Sequence, residues 1–474
     1  MCRPVTFSAV SADPTTLSAR AAVSALQAGE VSPRELVEAA LRRIEAVDGP
    51  LNALPTLCAE RALERASAVA GHLALAGLPI AVKDLNDVAG VRTTYGSPIY
   101  ADHVPERSDI MVERLEERGA VVVAKSNTPE FGAGANTFNE VFGRTVNPWD
   151  TTRTCGGSSG GSAVALATRQ VWLATGSDLG GSLRTPASFC SVVGLRPSPG
   201  RVARGPAERP FDTLTVEGPM ARDVADCALM LDAMAGPHWE DPLSLPATAD
   251  SFLSAALAPE LPARIAWSDD LGVTPIEREV VAVCRAAVER LAAAGVGVAE
   301  ARPDLGTAPD VFHALRAAGF VAGTGLLYET DRERLKPEIV WNVELGLAQP
   351  PERVGWAERE RGRIALDTAA FLAEHTLLAC PAACVAPFPV EDRWVAEVEG
   401  VRFENYVEAL RITSAVTLTG CPVIAIPCGF TEAGLPVGIQ IAAPHHGEAA
   451  LLRAAAAIEA VLGVAGSEPP SGPA

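Results

Sequence analysis

The sequence predicts an α/β protein built around a buried β-sheet. Helix and strand signals alternate along the first hundred or so residues in the order of βαβ units. Residues 121–124 are a continuous apolar run, which is typical of a strand covered on both faces. No linker rich in Pro, Gly or Ser interrupts the chain before residue 466, so we expect one domain over 1–465. Three prolines within 466–474 predict a disordered tail.

Each element follows from a local signal. Ser32-Pro33-Arg34-Glu35 is a capping box with proline at the first helical position, and it predicts the start of a helix. Apolar periodicity predicts further helices over 59–75, 108–118, 223–235, 276–294 and 448–462, and strands over 78–82, 121–124, 264–267, 377–379, 423–426 and 437–441. The Gly, Ser and Thr content of 155–200 predicts loops around the apolar runs 163–167 and 171–174. A mainly helical stretch over 306–372 is expected to cover a site.

Composition and charge exclude several classes of protein. The 474 residues are 48% hydrophobic and 20% charged, as in a globular chain rather than a disordered, collagenous or coiled-coil one. The formal charge of −19 repels phosphate backbones and anionic membranes, so neither nucleic acid nor membrane is an expected partner. Residues 1–13 lack the apolar core of a signal peptide, and no run of ~18 uncharged apolar residues occurs, so we expect a cytoplasmic protein. The ten cysteines lack the spacing of a zinc or disulfide framework.

Lysine is the most informative residue type because the chain has only three, Lys83, Lys125 and Lys336. Lys83 and Lys125 each end an apolar strand. One interpretation is an ordinary strand-end lysine whose ammonium group reaches water. The other is that burial lowers the pKa of one of them and leaves a neutral amine that can act as a base. The residues alone leave both interpretations open.

Two motifs rich in glycine and serine could hold a substrate. Residues 156–162 lack the lysine of a phosphate-binding loop, and no strand signal precedes them as a lipase-type nucleophile elbow requires. A flexible loop without chemistry is the alternative. In 176–184 a serine follows two glycines, so it can approach a substrate carbonyl while backbone N–H groups converge on the carbonyl oxygen. A tight turn before a helix is the alternative there, and Asp178 and Arg184 could pair to brace the loop.

Together these motifs resemble the amidase signature family of serine hydrolases. The resemblance covers most of the chain from Ser32 onward, and its motifs are Lys83, Gly132-x-Gly134, Asn147-Pro148-Trp149, the Gly/Ser blocks, Gly194-Leu195-Arg196-Pro197, Gly420-Cys421-Pro422, Pro427-Cys428-Gly429 and 434–438. It implies a single large α/β domain with a mixed, mostly parallel, twisted β-sheet that is covered by helices on both faces. The signature core would span about 78–200, and the helical insertion at about 306–372 would line the substrate.

The resemblance also implies roles for individual residues. Ser182 is the expected nucleophile, Ser158 the bridging serine that the family holds behind a cis peptide bond, and Lys83 the base; the amides of Leu179, Gly180, Gly181 and Ser182 would form the oxyanion hole, and Phe131, Gly132 and Ala133 would contact the substrate. A hydroxyl needs a base to become a nucleophile, and none of the seven histidines lies in these motifs. A Ser-His-Asp triad assembled in space remains the alternative. No metal or organic cofactor is expected.

Substrate identity is the open question. Residues 127–132 resemble free-standing bacterial amidases, whereas the glutaminase component of glutamyl-tRNA amidotransferase usually carries Asp-Glu-Phe there. The resemblance implies a monomeric or homodimeric amidase of small linear amides, similar to aryl acylamidases and urethanases; the alternatives are a component of an amidotransferase complex and a catalytically silent binding protein. Five large side chains of the helical insertion favour aryl or apolar amides and, more slowly, carbamates, unless they simply pack their own helices: Phe312, Phe320, Leu326, Tyr328 and Trp341.

Overall fold

Fourteen α-helices and fifteen β-strands alternate through residues 13–207 and 209–470, the part of the chain that this computed structural model describes. The helices are α1 (Ala19–Gln27), α2 (Pro33–Val47), α3 (Ala59–Ala66), α4 (Ile110–Glu117), α5 (Gly160–Ala167), α6 (Arg184–Cys190), α7 (Val224–Met234), α8 (Phe252–Ala256), α9 (Arg278–Ala293), α10 (Ala308–Asp331), α11 (Pro337–Ala348), α12 (Pro351–His375), α13 (Arg411–Leu418) and α14 (Glu448–Leu462). The strands are β1 (Thr56–Leu57), β2 (Pro79–Lys83), β3 (Val121–Ser126), β4 (Phe138–Asn139), β5 (Gly143–Arg144), β6 (Leu173–Asp178), β7 (Val193–Arg196), β8 (Val216–Ala221), β9 (Arg264–Trp267), β10 (Gly297–Glu300), β11 (Leu378–Pro381), β12 (Glu397–Val398), β13 (Val401–Arg402), β14 (Val423–Phe430) and β15 (Pro436–Ala442).

Eleven of these strands form one sheet in the order β1-β3-β2-β6-β8-β7-β14-β15-β11-β9-β10. Pairing is parallel within β3-β2-β6 and within β11-β9-β10. It is antiparallel between β1 and β3 and from β6 through β8, β7, β14 and β15 to β11. The expected mixed α/β sheet is confirmed, with its parallel pairs in the two flanks. In the middle of the sheet, the turn between β14 and β15 joins them as an antiparallel hairpin.

Helices cover both faces of the sheet, as expected. Ile80 and Val82 of β2 belong to a buried cluster that includes side chains of α7, α9 and α14. Ala81, between them, belongs to a second cluster with side chains of α2, α3 and α5. Successive residues of a strand point to opposite faces, so the two clusters are the two sides of one sheet. This arrangement buries the strand ends, where the polar motifs begin.

Most local signals predicted their elements, but one helix was predicted too long and several elements had no prediction, among them α1, α6, α8, α13, β7, β8 and β10. α2 begins with the predicted capping box, because Ser32 and Glu35 each accept a hydrogen bond from the other's backbone N–H. The helix predicted over 59–75 is wrong beyond Ala66, since the N–H of Leu75 donates instead to the carbonyl oxygen of Arg118. β8 had no strand prediction; it contains Pro219, which cannot donate to a ladder and weakens the signal.

The stretch predicted as helical over 306–372 contains α10, α11 and α12. α10 packs against α11, α12 and α13. Among the described residues it is the one helix whose length and hydropathy would suffice to cross a membrane. It also carries the buried Arg316 and packs against three helices, as core helices of globular proteins do.

The predicted disordered tail lies only partly within the described chain. Residues 466–470 form neither helix nor strand. Glu468 forms an ion pair with Arg169, and the Ser467 hydroxyl donates to the carbonyl oxygen of Val464. Residues 471–474 lie outside the described residues.

Candidate active site

Three adjacent parallel strands bring the polar motifs to one edge of the sheet. β2 ends at Lys83, β3 ends at Ser126, and β6 ends at Asp178. Lys83 is paired in register with Ser126. The carboxyl ends of parallel strands meet at the same edge, so the loops that follow β2 and β6 lie together there. Residues 156–162 meet the same edge because α5 packs against β2, β3 and β6.

Lys83 is fully buried among hydroxyl groups. Its Nζ donates to Ser158 Oγ at 2.7 Å, to Ser159 Oγ at 2.8 Å and to Ser177 Oγ at 3.0 Å. Burial lowers the pKa of Lys83 to about 7, although the carboxylates of Glu217 and Asp178 favour the protonated form. The interpretation of an ordinary lysine reaching water is therefore wrong for this residue.

Lys125 is equally buried but has the surroundings of a structural cation. Its Nζ lies 3.2 Å from Asp84 Oδ1 and donates to the carbonyl oxygen of Asn86 and to Thr93 Oγ1, both at 2.7 Å. Burial lowers the pKa of Lys125, and the Asp84 carboxylate opposes that shift. The two strand-end lysines thus differ in their partners. Lys125 has a carboxylate beside it, whereas Lys83 has three hydroxyls within hydrogen-bond distance.

Ser158 and Ser159 are held at the N-terminus of α5 by a tightly packed backbone. The Gly157–Ser158 peptide bond is cis. A Cβ on Gly161 would lie 2.4 Å from the backbone nitrogen of Asn127, so only glycine fits there. No strand precedes Ser158, because residues 155–159 are irregular, and the elbow-like interpretation is wrong for this reason. Sequence reasoning did not assign Ser159 or Ser177 to the site, and a serine that simply faces a buried lysine leaves no local signal.

Ser182 lies on the neighbouring loop and is partly exposed. Its carbonyl oxygen accepts from the N–H of Ser159 at 3.2 Å, which joins the two serine loops. Its hydroxyl has no hydrogen-bond partner within residues 13–207 and 209–470, and no histidine there bonds to Ser158, Ser159 or Ser182. The structure therefore brings Ser158 and Lys83 into direct contact, and it places Ser182 on the loop that is joined to Ser159.

The backbone before Ser182 is shaped for close approach. Gly181 has φ +113°, and a Cβ there would lie 2.4 Å from Thr413 Oγ1. The Thr413 hydroxyl donates to the carbonyl oxygen of Gly180. In the described part of the chain, the amides of Leu179, Gly180 and Ser182 have no protein acceptor, whereas the amide of Gly181 donates to Asp178 Oδ1 at 3.1 Å. Of the four amides expected in the oxyanion hole, that of Gly181 is therefore bound to Asp178 within the loop and is not free to bind an oxyanion.

Asp178 braces this loop, as its spacing from Arg184 predicted. Arg184 donates to both carboxylate oxygens of Asp178, at 2.9 and 3.1 Å. A second buried arginine, Arg196, lies 3.3 Å from the same carboxylate. Burial alone would raise the pKa of Asp178, but the two guanidinium groups hold that pKa well below its usual range. Arg196 was not predicted as a partner because it lies on another strand, β7.

Phe131, Gly132 and Ala133, the residues expected to contact the substrate, have different surroundings. Phe131 has φ +48° and lines a cavity of about 150 Å³. A Cβ on Gly132 would lie 3.4 Å from Ser158 Oγ, so Gly132 adjoins that hydroxyl. Ala133 is fully buried, and its carbonyl oxygen accepts from Lys336 Nζ. Gly132 therefore adjoins Ser158, Phe131 faces the cavity, and Ala133 is buried near Lys336.

The cavity beside Phe131 also adjoins α10. Its apolar lining consists of Phe131, Leu179, Leu214, Leu315 and Phe320. Of the side chains expected to line the entrance, only Phe320 does so. Phe312 is buried against Gly180, Leu326 is 73% exposed, and Trp341 packs on the His313 and Tyr406 rings. Helical periodicity alone does not show which face of α10 meets the site.

No group of three or more His, Cys, Asp or Glu side chains in the described residues is arranged to hold a metal ion. The site is instead a buried amine, four serine hydroxyls and free backbone amides. Such a set of groups can remove a proton from a hydroxyl and stabilise an oxyanion next to it.

Comparison with known proteins identifies the family to which this chain is similar. The family model described as Amidase matches residues 35–452. An acylamidase of Rhodococcus erythropolis is 34% identical over 462 residues, which cover 96% of this chain and 97% of that relative. A glutamyl-tRNA(Gln) amidotransferase component from Moorella thermoacetica is 36% identical over 91% of this chain and 93% of that relative. A solved bacterial aryl acylamidase shares the fold with a TM-score of 0.88 at 24% identity, covering 94% of this chain and 96% of that one.

Proposed function

Because the chain belongs to the amidase family, we propose that it hydrolyses small linear amides through an acyl-enzyme formed on Ser182. The family makes it a hydrolase of carbon–nitrogen bonds other than peptide bonds. The proposal concerns the residues that do the chemistry and the amides that are cleaved.

The contact between Lys83 and Ser158 supports this mechanism most strongly. The Nζ–Oγ distance is 2.7 Å, and the pKa of Lys83 is lowered to about 7, so near neutral pH a large fraction of the amine is unprotonated. The neutral amine takes the proton of Ser158 while Ser158 takes that of Ser182. The Ser182 oxygen then attacks the amide carbonyl. When the carbon–nitrogen bond breaks, Ser158 donates a proton to the departing amine and Lys83 returns a proton to Ser158.

The backbone around Ser182 would stabilise the charge that this attack creates. The free amides of Leu179, Gly180 and Ser182 are the donors that we assign to the oxyanion. Asp178 holds the loop through the Gly181 amide and through Arg184. A water molecule, activated by the same relay, then attacks the ester on Ser182 and releases the acid.

The apolar cavity favours amides that carry an aryl or apolar group. Phe131, Leu179 and Phe320 supply an apolar wall next to the proposed oxyanion donors. Carbamates present a similar planar carbonyl, and we expect them to be cleaved more slowly to amine, alcohol and carbon dioxide. Their second heteroatom donates into the carbonyl, so attack needs more stabilisation from the oxyanion hole.

Labelling with a fluorophosphonate tests the nucleophile. We expect added mass on the peptide that contains Ser182 and none on the peptide that contains Ser158 and Ser159. Ser182→Ala should lose several orders of magnitude in kcat and keep its fold by circular dichroism. Ser159→Ala is the matched control, because Ser159 also bonds to Lys83 and yet has no part in the proposed relay. Labelling confined to Ser158 or Ser159 would overturn the assignment.

The glutaminase component of a tRNA-dependent amidotransferase complex is the second candidate, because such components are among the relatives at 32–37% identity. A protein of this kind would prefer glutamine and work with partner proteins. Purified chain is assayed on matched anilide, carbamate and glutamine substrates. Unaided turnover of a 4-nitroanilide supports the free-standing amidase, and a preference for glutamine supports the amidotransferase component.

Cofactor, assembly and location complete the proposal. The chemistry above needs no metal or organic cofactor, and the enzyme would act as a monomer or homodimer on a small molecule. We also propose a cytoplasmic location. The nine cysteines within the described residues are all free and buried, which is typical of a protein from a reducing compartment.

A further inference from the structure

One buried arginine near the proposed site lacks the counter-ion that the others have. Four arginines of the described chain are buried, namely Arg184, Arg196, Arg201 and Arg316. Arg184 and Arg196 share Asp178, and Arg201 lies 3.3 Å from Glu448. Arg316 forms no ion pair with any described residue. An unpaired buried charge is costly, so its retention calls for an explanation.

The partners of Arg316 are neutral. Its guanidinium donates to the side-chain oxygen of Asn342 and to the hydroxyl of Tyr406. It lies 4.5 Å from the centre of the Phe320 ring and 5.1 Å from that of Tyr406. These contacts orient the group without neutralising it. Its Nε is buried and has no acceptor among residues 13–207 and 209–470.

A second cation lies close to Arg316: burial lowers the pKa of Lys336 to about 8, the carboxylates of Glu338 and Glu130 oppose that shift, and the charge of Arg316 adds to it. Lys336, between α10 and α11, is also buried and forms no ion pair within the described chain. Burial lowers the pKa of His313 first, and the charge of Arg316 lowers it further. His313 therefore favours its neutral form, and Arg316 and Lys336 are two buried cations placed close together in a chain of net charge −19.

Arg316 opens onto the cavity next to the proposed oxyanion loop. It lines the same cavity of about 150 Å³ as Phe131 and Leu179. The other arginine of that cavity, Arg209, lies 3.8 Å from Asp212 and so has an acid beside it. A ligand in this cavity would meet an apolar wall, the neighbouring Arg209 and Asp212, and one guanidinium without a counter-ion, that of Arg316. A carboxylate is the group that a guanidinium binds with the best geometry.

We infer that Arg316 binds a carboxylate carried by the substrate, so that this enzyme cleaves amides with an apolar body and an acidic end. The inference rests on the proposed function and names the substrate class of the same site. The acidic group supplies the counter-charge for Arg316 only when substrate is bound. Neutral amides leave the buried guanidinium unpaired and bind less well.

Two matched pairs of chromogenic anilides test the inference. Succinic acid mono-4-nitroanilide is compared with 4-methylpentanoic acid 4-nitroanilide, which places the carboxylate on the acyl side. 5-Acetamido-2-nitrobenzoate is compared with 4-nitroacetanilide, which places it on the amine side. In at least one pair, kcat/KM of the acidic member should exceed that of the neutral member by about 10- to 100-fold, the value of a charge-assisted hydrogen bond. Equal rates within both pairs would overturn the inference.

Variants then test whether Arg316 causes the preference. Arg316→Gln should reduce the acidic-to-neutral ratio of kcat/KM to about one. Arg353→Gln is the matched control, because Arg353 also stacks on an aromatic ring, that of Trp356, but is exposed and paired with Asp310 of α10. It should keep the wild-type ratio. If Arg316→Gln does not fold, Arg316→Lys replaces it and should lower the ratio partially. A ratio that is unchanged in a folded variant would contradict the inference.

A binding measurement separates this inference from the proposed function. If none of the four anilides is cleaved, the proposed function fails, and calorimetry with 3-phenylpropionate decides the role of Arg316. The wild type should bind 3-phenylpropionate more tightly than its neutral isostere 4-phenyl-2-butanone, and Arg316→Gln should remove that difference. Equal binding of both compounds would overturn the inference.

Discussion

Replacing each of the two strand-end lysines by methionine separates catalysis from stability. In Lys125→Met the Asp84 carboxylate, which lies 3.2 Å from Lys125 Nζ, would stay buried without its cation. Removing one partner of a buried ion pair costs about 3–5 kcal/mol in the free energy of unfolding. The carbonyl oxygen of Asn86 and the hydroxyl of Thr93 also lose a donor. We therefore expect a large loss of stability and a comparatively small loss of activity.

Lys83→Met should show the opposite behaviour. No carboxylate lies within ion-pair distance of Lys83 among the described residues, so the substitution leaves no charge unpaired. Three serine hydroxyls lose a hydrogen bond, while a costly buried amine is removed, and the net change in the free energy of unfolding should stay below about 2 kcal/mol. Loss of the base should lower kcat/KM at least ~10³-fold.

The assay combines urea unfolding followed by circular dichroism with release of 4-nitroaniline at pH 8. Each variant is measured in both experiments, so the ratio of activity loss to stability loss is obtained from the same preparation. A catalytic Lys83 and a structural Lys125 predict opposite ratios. Equal activity losses in the two variants, or loss of activity traced to a histidine, would refute the reasoning and favour a Ser-His mechanism.

Three further predictions concern pH, the serine loop and its brace. Activity should fall as the pH decreases through about 7, because protonated Lys83 cannot act as a base. Glu217→Gln should shift this fall in activity to lower pH, because it removes a negative charge that favours the protonated amine. A pH profile of kcat/KM measures both effects. Gly181→Ala should reduce kcat about 10²- to 10³-fold in steady-state assays, since its Cβ would collide with Thr413 and displace the oxyanion donors. Asp178→Asn should destabilise the fold by about 3–5 kcal/mol in urea unfolding, because two buried guanidinium groups lose their carboxylate.

Local signals in the sequence were sufficient for features that depend on near neighbours. The capping box at Ser32 and the strand that ends at Lys83 involve residues within a few positions of each other. The pair between Asp178 and Arg184, six positions apart, was predicted for the same reason. Apolar runs also indicated that β2 and β3 are buried, because strands that are covered on both faces are mostly apolar.

The motifs of the signature region could be placed, but the chemistry of single residues in them could not. Spacing gave Lys83 and Lys125 the same strand-end position, and only the resemblance favoured Lys83. The structure distinguishes them by Asp84, which follows Lys83 directly in the chain and yet forms its ion pair with Lys125. Likewise, the Gly181 amide was expected to be free, and it is the fold of the loop that directs it to Asp178.

Tertiary structure alone decided which side chains of the helical insertion meet the site. Periodicity made Phe312 and Phe320 of α10 equivalent, yet of the two only Phe320 lines the cavity, because the rotation of α10 is set by its packing on α11, α12 and α13. The unpaired charge of Arg316 was equally invisible in the sequence. The charge state of a buried group depends on partners that distant segments bring to it, and Arg316 meets Tyr406, 90 positions away, without meeting an acid.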